Sequence, residues 1–215
     1  MDIGAYIVVL VTSYFLGSVP AGYLAGKARG IDVRTVGSGN IGATNAFRVL
    51  GKTAGTVVLL SDAFKGFAAA RWAPLLAVQM FPGAASQREY LALAAGVAAI
   101  LGHNFTCWLN FKGGKGIATS GGVVLAWAPL ACLMALALWG IVFVATKFVS
   151  LASIAAALVL PVAVWFCPPN GRLTMTIVMA ALSALAIYKH KPNIQRLLNG
   201  TESRVGKKTE RPVNG

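Results

Sequence analysis

The chain has 215 residues, of which 57% are hydrophobic and only 12% charged, with a mean hydropathy of +0.70. A soluble domain carries about twice that share of charge, and no single core of this size could hide the apolar runs, so a soluble globular protein is excluded in favour of one transmembrane domain over 1–215. The net charge of +13, from 19 basic and 6 acidic residues, would suit nucleic acid, but the basic residues sit mainly in loops between apolar runs. The positive-inside rule and an anionic leaflet account for them, and no nucleic-acid partner is expected.

The first apolar run, 3–24, has no basic residue ahead of it, whereas Lys27 and Arg29 follow it. That order predicts an uncleaved first helix with its N-terminus outside. The polar segment 27–55 should then be cytoplasmic. A second span starts near 56 and ends near 80, carrying Asp62 and Lys65 three apart on one helical face, where they could pair. A short outer loop, 81–89, leads to a third span over about 90–108, which delivers the glycine-rich 110–122 back to the cytoplasmic side.

The run 117–145 decides the topology. Taken as one helix, it leaves the basic C-terminus outside, with Lys189, Lys191, Arg196, Arg204, Lys207, Lys208 and Arg211. Broken at Pro129, it becomes two helices, 117–128 and 130–145, and the charge rule holds. At ~1.5 Å per residue the first piece is only ~18 Å long. It must start inside the membrane, its glycine-rich end buried in protein or lining a wet cavity. With spans at 151–166 and 173–188, the expectation is an all-α bundle of about seven crossings, C-terminus inside, with the 167–171 turn and Arg172 outside. Cys107, Cys132 and Cys167 have no paired spacing, so neither a disulfide framework nor a zinc site is implied.

Three polar segments fall on the predicted cytoplasmic face, within 27–55, 102–122 and 189–204, ahead of a basic tail at 205–215. The first, Gly37-Ser38-Gly39-Asn40-Ile41-Gly42-Ala43-Thr44-Asn45-Ala46-Phe47-Arg48, contains G-x-G-x-x-G. A dinucleotide fold is ruled out by context, because no strand precedes it. It reads as an anion cradle closed by Arg48, or as a flexible polar turn. The second holds Gly102-His103-Asn104-Phe105 and Phe111-Lys112-Gly113-Gly114-Lys115-Gly116. It is close to a Walker A loop but has Gly116 where Ser or Thr belongs and Leu109 in place of the first glycine. It reads as a second anion site with Lys115 as point charge, or as interfacial lysines beside a helix contact. The third, from His190 through Asn193 and Arg196 to Glu202, could equally be an amphipathic helix on anionic lipid.

Few residues here could act as a protein base. The His-x4-Asp pair is absent, since Trp108 follows His103 and Gln195 follows His190 at that spacing, and there is no Gly-x-Ser-x-Gly elbow. What the face offers is donors for oxyanions, which suits phosphate-bearing substrates and electrostatic catalysis.

At these residues the chain resembles the bacterial acyl-phosphate:glycerol-3-phosphate acyltransferases. Gly37 to Arg48 with Leu50-Gly51, Gly102 to Thr119, and His190 to Glu202 match three family motifs in order, and Asp62 with Lys65-Gly66 also fits. Thr106 departs from the family's usual proline. The resemblance implies transfer of an acyl chain from acyl phosphate to the 1-hydroxyl of glycerol 3-phosphate, giving lysophosphatidic acid and phosphate, with no cofactor or metal. It implies that Ser38 and Thr44, with Gly37, Gly39, Asn40 and Asn45, hold the acyl-phosphate group. Arg48, Lys115, His190, Asn193 and Arg196 would hold glycerol 3-phosphate and the developing charge. Lys112, Gly113 and Gly114 would complete the second loop, and Glu202 would brace the third. The acyl chain would lie between helices, and a substrate phosphate oxygen could accept the proton. A monomer in the bacterial inner membrane is expected. An organic-phosphate or anion transporter remains the alternative; the lack of an internal repeat weighs against it. A lipid-binding subunit without activity is a third reading.

Overall fold

Proline divides the first apolar run. α1 (Ile3–Ser18) is capped by Asp2, whose carboxylate accepts from the Ala5 N–H at 3.2 Å. Pro20 has no N–H to continue the ladder, and the chain restarts as α2 (Ala21–Lys27). Two carbonyls at the break accept from side chains: Thr106 Oγ1 donates to Ser18 O at 2.6 Å and Lys65 Nζ to Val19 O at 2.9 Å. Thr106 thus fastens the second polar segment to the α1 break.

The computed structural model describes residues 2–167 and 172–206. Among these the chain is all-helical. After α2 come α3 (Ala43–Val49), α4 (Lys52–Met80), α5 (Arg88–Asn104), α6 (Ile117–Trp127), α7 (Pro129–Thr146), α8 (Val149–Phe166), α9 (Arg172–Lys189) and α10 (Lys191–Leu198). The break before Pro129 is present, with Ala128 non-helical at φ −144° and ψ 76° between α6 and α7. Residues 168–171 of the expected outer turn, and Lys207, Lys208 and Arg211 of the tail, lie outside the described residues.

Several boundaries differ from the hydropathy pattern. α4 begins at Lys52 rather than near 56, because Gly51, at φ +86°, turns the chain directly into the helix. The predicted outer loop, 81–89, carries a 3-10 turn, Pro82–Gln87. The third span stops at Asn104, and Cys107–Leu109 is a separate 3-10 turn. Asn110 and Phe111 then adopt left-handed backbone, at φ 53° and 59°, and fold the chain back on the end of α5. Four helical segments are long and apolar enough to cross a membrane, 3–27, 82–109, Pro129–Thr146 and Val149–Phe166, and a fifth if α9 and α10, bent by 56°, count as one. α4 is 29 residues long but carries Lys52, Asp62, Lys65 and Arg71.

Small residues set the packing. A Cβ on Gly17 would lie 2.1 Å from Ala99 O, and one on Gly102 2.2 Å from Tyr14 O, so α1 and α5 touch through their backbones. Gly66 against Thr119 O and Gly122 against Ala63 O do the same for α4 and α6. Such close approach is how membrane helices associate where lipid supplies no hydrophobic drive. It also draws the start of α6 down beside Asp62 and Lys65.

Candidate active site

The first polar segment is shaped by Asn45, which is 1% exposed. Its Oδ1 accepts from the Ser38 N–H at 2.8 Å, and its Nδ2 donates to Val33 O at 2.9 Å and Val36 O at 3.2 Å. Any side chain at Gly37 would collide with that amide, its Cβ 2.2 Å from Oδ1. Asn40 Oδ1 accepts from the Gly42 N–H at 2.8 Å. Asn40 and Asn45 therefore use amide groups to hold the loop. The Ser38 and Thr44 side chains remain exposed on its rim, and Arg48 follows one turn along α3.

The second segment closes on the end of α5. Gly113 N–H donates to Asn104 O at 3.2 Å and Gly114 N–H to His103 O at 3.1 Å. Lys112 stays exposed. Lys115 turns inward and donates to Asn193 Oδ1. Burial, reinforced by Arg196 and Arg48 and opposed by Glu202, pushes its ammonium down to about 8.

The third segment is organised by Glu202. Its Oε1 accepts from Asn193 Nδ2 and from Ser150 Oγ, both at 2.7 Å, and its Oε2 accepts from Arg196 Nε at 2.7 Å. Burial works to raise the carboxyl, and these hydrogen bonds outweigh it, holding the group below the ordinary carboxylate range. Burial also pushes His190 down to about 4, against the hydrogen bond to Ala186 O. The ring is therefore neutral at pH 7. Its Nδ1 lies 2.8 Å from Ala186 O, an acceptor, so Nδ1 carries the proton and Nε2 is left as an acceptor. Ser150, at the start of α8, did not stand out in the sequence; a serine two residues into an apolar helix gives no signal.

These pieces meet on one cavity of about 700 Å³. Ser38, Thr44, Arg48, Lys115, His190, Asn193, Arg196 and Glu202 line it, together with Gly37, Asn40 and Asn45. Gly39, Lys112, Gly113 and Gly114 are not on its wall. Asp62 and His103 are. Beyond the polar end the wall turns apolar, with Leu160, Met179 and Leu182. Leu59, Leu125 and Leu136 line it too and are 40%, 44% and 60% exposed. The cavity therefore opens sideways between helices.

A cluster of basic and hydrogen-bonding side chains continuous with an apolar trench is what a phosphorylated amphiphile requires. Residues 7–200 match the family model described as glycerol-3-phosphate acyltransferase. The chain is 43% identical over 198 residues, 92% of its length and 96% of the relative's, to a glycerol-3-phosphate acyltransferase of Geotalea daltonii. It superposes with a TM-score of 0.82 and 37% identity, over 94% of this chain and 96% of the other, on the crystal structure of PlsY (YgiH), an integral membrane glycerol 3-phosphate acyltransferase, in its glycerol 3-phosphate form. The lysophosphatidic acid form of PlsY gives 0.80, with the same identity and coverage. The transporter and inert-subunit readings have no counterpart among these relatives, and the chain belongs to the family of integral membrane glycerol-3-phosphate acyltransferases.

Proposed function

We propose that the acyl donor is an acyl phosphate and that the polar end of the cavity holds both reacting phosphates. The observation that carries this reading is the continuity of the donor cluster with the apolar trench in one cavity. In an acyl phosphate the anion lies one oxygen from the scissile carbonyl, so gripping the phosphate also places that carbonyl. PlsY has been captured with glycerol 3-phosphate and with lysophosphatidic acid, the acceptor and product assigned to this chain.

Ser38 and Thr44 receive the acyl phosphate at the rim, and the chain lies along Leu160, Met179 and Leu182. Arg48, Lys115, Asn193 and Arg196 receive glycerol 3-phosphate. The 1-hydroxyl oxygen attacks the acyl carbon, the bond from that carbon to the phosphate oxygen breaks, and the hydroxyl proton passes to a phosphate oxygen. Lysophosphatidic acid and inorganic phosphate result. His190 is neutral, so it contributes no cation; Nε2 accepts from a glycerol hydroxyl and orients it. Arg48 and Lys115 stabilise the charge that grows on the departing phosphate.

One chain supplies every one of these groups, so a monomer suffices. The basic loops favour the bacterial inner membrane, in about seven crossings with the site cytoplasmic and the N-terminus outside; a C-terminal cysteine labelled from outside intact cells would overturn that orientation. The donor is tested with purified protein and glycerol 3-phosphate, comparing palmitoyl phosphate with palmitoyl-CoA. The phosphate donor should be used and the thioester scarcely at all. Similar kcat/KM for both would refute the reading.

A further inference from the structure

The reaction as described leaves a set of buried charges unused. Lys65 and Asp62 lie one turn apart on α4, 5% and 2% exposed, with Nζ 2.8 Å from Oδ1. Lys65 Nζ is anchored on the other side by Val19 O, at the break between α1 and α2. Asp62 Oδ1 lies 3.4 Å from Nδ1 of His103, on α5 and 5% exposed. Charges inside a membrane bundle are costly to bury and mark a working site more often than a structural one.

The far side of the His103 ring shows what they support. A Cβ on Gly114 would lie 2.2 Å from Nε2 and 2.9 Å and 3.1 Å from Cε1 and Cδ2. The Nε2 end of the ring thus abuts the Gly114 backbone. Gly113 N–H and Gly114 N–H are bound to the carbonyls of Asn104 and His103 itself. Asn104 O is braced in addition by Lys189 Nζ at 3.0 Å. Lys115 is the next residue.

We propose that Lys65, Asp62 and His103 are positioning residues, an ion-paired strut that runs from the Val19 carbonyl to the underside of the 113–115 turn and fixes where Lys115 meets the substrate phosphate. Asp62 sets the plane of the imidazole, Lys65 holds Asp62, and the ring sets the height of the turn. Glycine at 114 is required because the ring occupies the space of a side chain. This assignment rests on the reading of Lys115 as a phosphate ligand, and turnover by the wild-type protein tests that reading separately.

The experiment is a double-mutant cycle on purified protein. Gly114→Ala alone drives a methyl into the ring and lifts the turn; KM for glycerol 3-phosphate should rise by about 10-fold or more, a modest part of what misplacing a substrate ligand by 1 Å does. The alkaline limb of kcat/KM should also move up, toward the ordinary lysine value, as Lys115 leaves its buried position. Arg48, Arg196, Glu202 and His190, the other groups facing Lys115, are untouched in every variant. His103→Ala/Gly114→Ala should be no worse than His103→Ala, because the vacated ring space accepts the methyl. Asp62→Asn/Lys65→Met removes both charges together, leaving none unpaired, and should raise the same KM and move the same limb. If that pair fails to fold, the Gly114 and His103 cycle decides. Additive effects of Gly114→Ala and His103→Ala, or folded variants with unchanged KM and alkaline limb, overturn the strut. An inactive wild type would instead overturn the reading of the site.

Discussion

Replacing Glu202 by glutamine tests whether the third segment is held by charge. The carboxylate accepts three hydrogen bonds, from Ser150, Asn193 and Arg196. An amide can satisfy only one side. With its oxygen in the place of Oε1, it keeps Ser150 and Asn193 but turns an NH2 toward Arg196 Nε. With its oxygen toward Arg196, its NH2 faces Asn193 Nδ2, and Asn193 cannot flip without turning its own NH2 toward Lys115. The first arrangement costs less. It loses a pair in which the arginine is 39% exposed, worth under about 1 kcal/mol after screening. It also converts two charge-assisted bonds into neutral ones, at about 1 kcal/mol each. The sum, about 2–3 kcal/mol, is an upper limit on lost transition-state stabilisation and corresponds to about 30- to 150-fold in kcat/KM. Continuous phosphate release in detergent, with a melting curve on the same preparation, measures both terms. A Glu202→Gln protein within about 3-fold of wild type and equally stable would refute the idea that a carboxylate organises Asn193 and Arg196.

Arg48→Ala and Lys115→Ala should each lower activity by at least about 10²-fold, the scale for losing a preorganised donor, whereas Lys112→Ala, off the cavity wall, should stay near wild type; the same phosphate-release assay ranks all three. The kcat/KM for glycerol 3-phosphate should fall as pH rises through about 8, because Lys115, its value pushed down to about 8 by burial, loses the charge proposed to bind phosphate. Stability should move the other way over that window: between about 8 and the unfolded lysine value of about 10.4 the unfolded chain holds the extra proton, so rising pH favours the folded state, which thermal melts at pH 8 and 10 would show. Thr106→Ala should lower stability by about 1–3 kcal/mol by leaving the buried Ser18 carbonyl without its donor. Thr106→Pro loses the same hydroxyl but suits the backbone at φ −66° and stiffens the unfolded chain, so it should be less destabilising than alanine in the same melts.

The helices were legible because their apolar runs are long, and the break at Pro129 because the charge rule demanded it. Pro20 was missed for a related reason: it sits at the end of an apolar run without lowering its hydropathy, so the pattern showed one span where the backbone makes α1 and α2. The glycine, amide and basic residues of the three polar segments stood out as loop chemistry inside an apolar chain. Ser150 did not, since it reaches Glu202 only through the packing of α8 beside α10, which no local pattern encodes. The spacing of Asp62 and Lys65 showed that the two could pair. It did not show that His103, from another helix, comes to the same carboxylate, or that Asn45 spends its amide on the loop's own backbone.

The sideways opening of the cavity at Leu59, Leu125 and Leu136 changes what concentration means for this enzyme. A donor that enters through that gap is drawn from the plane of the bilayer, and a product that leaves by it returns there without its tail passing through water. Occupancy then follows the mole fraction of donor in the surface. Adding inert lipid or detergent at constant total donor, the proposed acyl phosphate, dilutes the substrate as effectively as adding buffer would for a soluble enzyme. Supply by lateral diffusion in two dimensions also makes neighbouring membrane enzymes that produce the donor and consume the product effective partners without any contact between the proteins.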